Sequence, residues 1–532
     1  MSGSTIDAGA PALPGTGVNP WVVAVLVALA AFMEVLDTTI ANVALPYIAG
    51  GLGVSEEEAS WVVTTYLVAN AIILTASSFL AERFGRKRFF LMSLALFTVS
   101  SVLSGFAWNL QSLLLFRILQ GLGGGGMVPV SQSILADSFP PEKRGQAFAL
   151  FGVAVVAAPV VGPTLGGWLS DNASWHWCFL INGPVGLISM VLIGLLVKDA
   201  PSGGEGRLLP GLRRRFDVVG FALVATFLAS LELMLDRGLE DDWFGSTFIA
   251  RVALVCVLAF VIMIPWEMSR KDPAVDVRMV ASRQFGACFL VMLATGALLL
   301  ATTQFLPQLL QQEFGYTATW AGLALSPGGI VTMGMMFVVG QLSGKVQPKY
   351  LIMTGAAIVA ASMLVLTFVY ADTTFWFFAT ARMMFGVGLP LIFVSITTAS
   401  FNGVRPGKTD QASALINMAR NTGGSIGISL AANVLERREQ FHQSRLAEHV
   451  IPSASQYQDT LQHVTNYFLA QGSALAQAQQ QAFAWIGQTV QAQATLLAYI
   501  DVFWVLMLIA LGTIPLALAL RSTKGDSAPP VH

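Results

Sequence analysis

Phe32-Met-Glu-Val-Leu-Asp-Thr-Thr-Ile-Ala-Asn-Val-Ala-Leu-Pro46 sets two carboxylates, Glu34 and Asp37, three residues apart in an otherwise apolar stretch. On a helix that spacing puts both on one face, one above the other. An ionisable group at membrane depth costs roughly 2.5–3.5 kcal/mol on insertion scales, so it marks a candidate functional residue. Whether this stretch crosses a membrane therefore decides both the fold and the meaning of the two charges.

The composition answers that question. Of 532 residues, 55% are hydrophobic and only 11% are charged, where a soluble domain carries about 25%. Mean hydropathy is +0.67, and apolar runs of spanning length recur along the chain, the pattern of an all-α, polytopic membrane protein. A net charge of -1 gives no nucleic-acid footprint. Cys178, Cys256 and Cys288 lie in apolar segments with no metal-ligand spacing and no disulfide framework. Residues 1–20 are polar, rich in Gly, Ala and Pro, and lack Lys and Arg. They read as a cytoplasmic tail, since a signal peptide opens on positive charge.

The apolar runs place fourteen spanning helices, from 21–46 to 410–434 and 496–520. Seven alternate loops and tails, all on one side, carry 21 of the 29 Lys and Arg residues. The loop between the first two spans holds Glu56, Glu57 and Glu58 instead. Cytoplasmic loops collect Lys and Arg, so both termini are expected in the cytoplasm. The outer segment 436–495 is polar and Gln-rich, with apolar residues at helical spacing in patches such as 476–486. One or two amphipathic helices are expected there, forming either a solvated loop or a docking surface for an external protein.

The chain also repeats itself. Pro-Glu-Lys-Arg-Gly-Gln-Ala-Phe-Ala-Leu (141–150) and Pro-Gly-Lys-Thr-Asp-Gln-Ala-Ser-Ala-Leu (406–415) agree at six of ten positions. The Gln of each follows an intramembrane arginine, Arg117 or Arg382, by 29 residues, and each arginine has Gly at +4 and +6. All these pairs are 265 positions apart. Two pseudo-symmetric six-helix halves follow: residues 21–198, and residues 284–520 including the loop 436–495. Residues 199–283 supply a cytoplasmic linker and two inserted helices, and 521–532 a cytoplasmic tail. Two halves with a site between them is an architecture of alternating-access transporters.

Ser-Phe-Leu-Ala-Glu-Arg-Phe-Gly-Arg-Lys-Arg (78–88) lies in the basic loop after the second span. It resembles the loop 2–3 motif of the major facilitator superfamily, with Ser78 in place of the first Gly and Glu82 in place of Asp. The resemblance implies that Glu82, Arg83, Gly85, Arg86 and Lys87 form a conformational latch. Arg117, in Leu-Leu-Leu-Phe-Arg-Ile-Leu-Gln-Gly (113–121), matches the superfamily's span 4 arginine. A buried arginine stays charged and needs a partner. Counted from the helix ends at 1.5 Å per residue, Arg117 and Asp37 both lie roughly 10–14 Å below the outer surface, with Glu34 about a turn deeper. An Arg117–Asp37 pair is therefore possible by depth. Gly152, Gly162, Pro163, Gly166 and Gly167 resemble the superfamily's antiporter motif, with Ala158 where a Gly is expected. They imply a helix on which the halves rock. Asn421 to Gly427 looks like its counterpart in the second half. The Gly123–Gly126 run lacks the Gly-Lys-Ser/Thr of a phosphate loop, and in an apolar span it permits close helix crossing.

Leu36 to Pro46 resembles the span 1 signature of the fourteen-span drug:proton antiporters, and similarity extends over nearly the whole chain, in 175–184, 235–244, 306–311 and 316–322. The long loop before the last span is shared with the EmrB type of inner-membrane pump. That resemblance implies multidrug export driven by the proton gradient, with no cofactor. It also implies a periplasmic membrane-fusion adaptor and an outer-membrane channel as partners. Burial favours a neutral carboxyl and a nearby arginine favours a charged one. Glu34 is then the candidate to hold a proton or contact a cationic substrate, and Asp37 to pair with Arg117. Glu232 and Asp236 lie toward the outer end of the first inserted span, where Asp236 and Arg237 are expected to pair with each other. Phe32, Met33, Phe305 and Met333 to Met336 are candidate cavity residues, because soft side chains suit promiscuous binding. A narrower exporter of fatty acids, siderophores or an endogenous metabolite is equally compatible with the scaffold. A membrane enzyme is disfavoured, because no nucleophile–base pair or metal cluster falls at membrane depth.

Overall fold

The computed structural model describes residues 19–197, 217–270, 273–402, 404 and 408–520. The two expected tails and most of the linker before the inserted helices lie outside them. Among the described residues every regular element is a helix, as membrane-embedded backbone requires when no sheet closes into a barrel.

Among the described residues, thirteen helices are long and apolar enough to span a membrane. In chain order these are α1 (Pro20–Leu52), α2 (Glu56–Phe84), α3 (Arg86–Ser104), α4 (Leu110–Ser138), α5 (Pro141–Asn172), α6 (Trp177–Leu196), α7 (Val218–Arg237), α8 (Thr247–Ser269), α9 (Arg283–Gln312), α10 (Ala318–Leu342), α11 (Pro348–Leu366) and α12 (Phe375–Ser400), with α14 (Leu475–Leu518) last. Between them, α13 (Thr409–His449) completes the fourteen. It is less apolar because Asp410, Gln411, Ser413 and Asn417 line its buried face, where it packs on other helices and not on lipid.

Local chemistry sets several boundaries. Ser55 and Glu58 close a capping box at the start of α2, and Asn109 with Ser112 does the same for α4. Gly85 joins α2 to α3 at φ +86°, a conformation that favours glycine. In α5, Pro159 and Pro163 do not break the helix, since packed neighbours compensate the lost backbone bonds.

Small residues set the packing within each half. A Cβ at Gly121 would sit 2.5 Å from the Tyr66 carbonyl, and one at Gly123 2.4 Å from the Phe97 nitrogen, so the glycine run of α4 is wedged between α2 and α3. Gly162 lies so close to Thr39 of α1 that no Cβ fits. In the second half, Gly423 and Gly427 of α13 press on Leu293 and Ala297 of α9.

The inserted pair α7–α8 is not peripheral to both halves. Asp236 accepts from the Thr64 hydroxyl of α2, while Arg237 pairs with Glu240 at 2.6 Å and donates to the Ser60 hydroxyl at 2.6 Å. The expected direct Asp236–Arg237 bond is not made; Asp236 takes Thr64 of α2, and Arg237 takes Ser60 of α2 and its own i+3 neighbour Glu240. On another face of α7, Glu232 accepts from the Ser425 hydroxyl of α13 at 2.7 Å. One inserted helix thus touches both halves.

The segment 436–495 also departs from expectation. Instead of a loop with separate helices, α13 runs on to His449 and α14 begins at Leu475, with one independent helix, Ser455–Ala470, between them. The two extensions form an antiparallel arm. Asp501 of α14 binds both Arg438 and His442 of α13, the latter at 2.8 Å. Glu439 accepts from Gln491 and Thr495, each at 2.8 Å. The polarity that marked this segment as a loop is the polarity of a helical hairpin projecting from the bundle.

Candidate functional site

The two opening carboxylates have different surroundings. Asp37 is 1% exposed and Arg117 0%. Arg117 Nη1 lies 2.6 Å from Asp37 Oδ2. The other carboxylate oxygen, Oδ1, accepts from Gln120 at 2.8 Å and from Asn182 at 2.7 Å. Arg117 Nε donates to the Val62 carbonyl at 3.1 Å, and the guanidinium sits 4.3 Å from the Tyr66 ring centroid. Five helices (α1, α2, α3, α4 and α6) meet here, since Asn182 also donates to the Ser101 hydroxyl at 3.0 Å. Removing a buried carboxylate from water is costly unless its oxygens are satisfied; both Asp37 oxygens are, while Arg117 Nη2 is buried with no partner among the described residues.

Glu34 is held less completely. It is 7% exposed, and its Oε1 accepts from Asn70 at 3.1 Å. Its Oε2 is buried with no partner among the described residues. Arg420, on α13 of the opposite half, is close enough to act on Glu34 electrostatically. The Arg420 guanidinium holds the Asn421 side chain at 3.3 Å and leaves Nη1 buried and unpartnered. A carboxylate on one half and a guanidinium on the other thus each keep a buried hydrogen-bonding atom with no partner among the described residues.

At the end of the bundle that carries the basic loops, the halves are tied together. Arg86 Nε donates to both oxygens of Asp410 on α13, at 2.9 and 3.0 Å, and its Nη1 pairs with Asp137 of α4. Gln132 of α4 accepts from Asn417 at 2.7 Å and from Ser413 at 3.2 Å. Phe148 of α5 stacks on Phe401, with centroids 5.3 Å apart. Lys87 donates to the Gly194 carbonyl at 2.9 Å, within its own half. Among the five latch candidates, Arg86 crosses to the second half and Gly85 makes the turn that presents it, while Glu82 and Arg83 are exposed.

The antiporter-motif residues divide their contacts in the same way. Gly162 and Gly166 approach α1 at Thr39 and Ile40, Gly152 approaches Met336 of α10, and Gly167 has more room. Ala158 is fully buried where the motif expects glycine. Pro163 lies inside the unbroken α5. Of the cavity candidates, Met33, Phe305 and Met336 belong to the packed core in this conformation, and Phe32 and Met333 are half-buried.

The family description Major Facilitator Superfamily matches residues 27–428. The chain belongs to the Major Facilitator Superfamily. Within it, the chain is 36% identical over 506 residues to the multidrug export protein EmrB of Escherichia coli, covering 94% of this chain and 96% of that one. It is 38% identical to the fatty acid resistance protein FarB of Neisseria gonorrhoeae, covering 84% and 87%. The fold is that of the human transporter MFSD10, with a TM-score of 0.54 at 13% identity over 92% of this chain. The superfamily match over residues 27–428 takes in all of the superfamily motifs.

Asn70, Gln120, Asn182, Asp137 and Asp410 were not singled out from the sequence. Gln120, Asn182 and Asp410 nevertheless lie inside stretches chosen for their resemblance or repetition. Ordinary polar residues in an apolar span carry the signal, and Asp410 is the acid of the second repeat.

Proposed function

We propose that this chain is a proton-driven exporter of apolar or cationic toxic compounds in a bacterial inner membrane, working by alternating access. The relatives named for multidrug export, similar over nearly the full length, support the transport class. The observation that carries the coupling is the pair of unlike carboxylates on one helix. Asp37 is held by Arg117, Gln120 and Asn182, whereas Glu34 keeps an oxygen with no partner among the described residues and lies within the electrostatic reach of Arg420 of the other half.

Protonating Glu34 removes its attraction to Arg420 and so changes the relative free energy of the two arrangements of the halves. Asp37 with Arg117 holds α1, α2, α3, α4 and α6 together while this happens. If the basic end is cytoplasmic, as the Lys and Arg distribution supports, Arg86–Asp410 and Gln132–Asn417 close the cytoplasmic side in this conformation. The energetics suffice. One proton entering through a potential of about 150 mV releases roughly 3.5 kcal/mol, and a thousandfold gradient of a neutral substrate needs about 4.1 kcal/mol. A modest pH gradient or a second proton covers the difference.

The projecting arm supports a tripartite assembly with a periplasmic adaptor and an outer-membrane channel. Phe441, Phe483 and Trp485 are exposed on or beside it, and exposed aromatic residues are common at protein interfaces. A second reading, a narrower exporter of fatty acids, is favoured by the similarity to FarB. A growth-inhibition panel in a host lacking its own pumps separates the two. Broad protection against dyes and cationic antibiotics supports the first, and protection against fatty acids alone supports the second.

A further inference from the structure

The two halves meet along unlike seams. On one side α5 packs directly on α10. A Cβ at Gly340 would fall 2.9 Å from the Ala149 Cβ, and one at Gly145 2.7 Å from the Cβ of Ser343, just past α10. On the other side α2 faces α13 without such an approach. Helix α2 contains no glycine, and Gly423, Gly424 and Gly427 of α13 all turn to α9. Toward the basic end this second seam holds a small cavity between Thr75 and Ser78 of α2 and Gln411 and Leu415 of α13. The inserted helix α7 lies along the same seam, since α2, α7 and α13 each touch the other two. Its partner α8 packs on the outside of α7 and turns Leu254, Val257, Leu258 and Val261 outward, an apolar surface of the kind lipid accepts.

The two neighbours hold α7 unequally. Its outer end is fixed to α2 at several points. Asp236 accepts from Thr64, and Arg237 donates to the Ser60 hydroxyl at 2.6 Å and to the Glu57 carbonyl at 3.4 Å. The Arg237 guanidinium also lies 4.8 Å from the Trp61 ring centroid. On the α13 side, the Glu232 carboxylate accepts from the Ser425 hydroxyl at 2.7 Å. Glu232 precedes Asp236 by one turn, about 6 Å along the axis, so a rigid α7 carries it with α2. The Ser425 hydroxyl has a second acceptor in its own helix, the Asn421 carbonyl at 3.3 Å. It can turn there when Glu232 withdraws, so release leaves no unpaired hydroxyl on α13.

We propose that α7 is a shutter over the α2–α13 seam, carried by the first half and caught on the second at Glu232–Ser425 while the basic end is closed. The proposal rests on the alternating-access reading. When the halves rock, α13 moves relative to α2, the catch opens, and α7 stays across the seam, between the transport path and the bilayer. Glu232 is then a positioning residue, contributed by the insert, that favours the arrangement closed at the basic end. The α5–α10 seam, closed by direct packing, has no inserted helix over it.

The experiment bridges cysteine pairs in the full-length chain carrying Cys178→Ala, Cys256→Ala and Cys288→Ala, using a short bifunctional methanethiosulfonate that reductant releases. Bridging Glu232→Cys to Ser425→Cys should arrest dye efflux from proteoliposomes, and reductant should restore it. Bridging Thr64→Cys to Asp236→Cys should leave efflux at the unbridged rate. Efflux that survives the 232–425 bridge overturns the proposal, and so does arrest by the 64–236 bridge. A second readout needs no transport and no cysteine on α7: bridging of Gln132→Cys to Asn417→Cys at the basic end. Adding Ser425→Ala should lower that bridging by at least about threefold, the equilibrium factor of an average interhelical hydrogen bond in a membrane. Adding Glu232→Gln, which keeps an oxygen for Ser425, should leave it at the parental level. Equal bridging with and without Ser425→Ala also overturns the proposal. If the unbridged protein moves no dye but Ser425→Ala still lowers the 132–417 bridging, the export reading fails and the catch stands.

Discussion

Arg117 and Asp37 lie 80 residues apart in sequence and 2.6 Å apart in space, completely buried. The pair joins α1 to α4 and is clamped by Gln120 and Asn182. Removing one partner leaves a charge with no water to answer it, at a cost of about 3–5 kcal/mol. Asp37→Ala and Arg117→Leu are each expected to lower the thermal midpoint substantially, and the double variant less than their sum. A double-mutant cycle on purified protein measures the coupling, and simple additivity would contradict the pairing.

Glu34 has one hydrogen bond where Asp37 has three charge-satisfying partners. Glu34→Gln keeps the shape and the Asn70 contact but cannot change charge. The expected outcome is near-parental stability, with transport that loses its pH dependence or its cationic substrates. The check is an efflux profile across pH with one cationic and one neutral substrate. A parental profile for both would leave Glu34 without a role.

The tie at the basic end makes a reciprocal prediction. Arg86→Asp should separate the halves there, and the charge swap Arg86→Asp with Asp410→Arg should restore closure in part, limited by Asp137, which would then face the introduced Asp. Cross-linking of cysteines introduced at positions 132 and 417 reports the distance. Efficient cross-linking in Arg86→Asp would show that the packing of α5 on α10 suffices without the ion pair.

The helical fold, the number of spans and the shared level of Asp37 and Arg117 were readable from the sequence. Each depends on apolar run length and a 1.5 Å rise, which packing does not alter. Partners across helices were not readable. Asp410 and Arg86 are 324 residues apart, and nothing local relates them until α13 lies beside α2 and α4. The Asp236–Arg237 expectation failed for the complementary reason, since sequence neighbours on a helix point to different faces. Polar segments were the other weak point. Helical spacing in 436–495 pointed to amphipathic helices, which are present, but not to their continuity with the two spans, which Glu439–Thr495 and Asp501–His442 pair into one arm.

Because the arm is built from continuous helices, shortening it should leave the bundle intact. Deleting residues 440–490 with a short flexible joint is expected to abolish co-purification of a periplasmic adaptor while vesicle transport persists. Undiminished capture of the adaptor would place its docking site elsewhere.

The central claim is that export is exchanged for protons through the charged face of α1. The most direct measurement is proton flux in proteoliposomes containing only this chain, with a pH-sensitive dye and an imposed pH gradient. Adding a transported drug should dissipate the gradient in the parent protein, and the response should vanish in Glu34→Gln reconstituted at equal density. A gradient untouched by the drug in the parent, or equal dissipation in Glu34→Gln, would contradict the account.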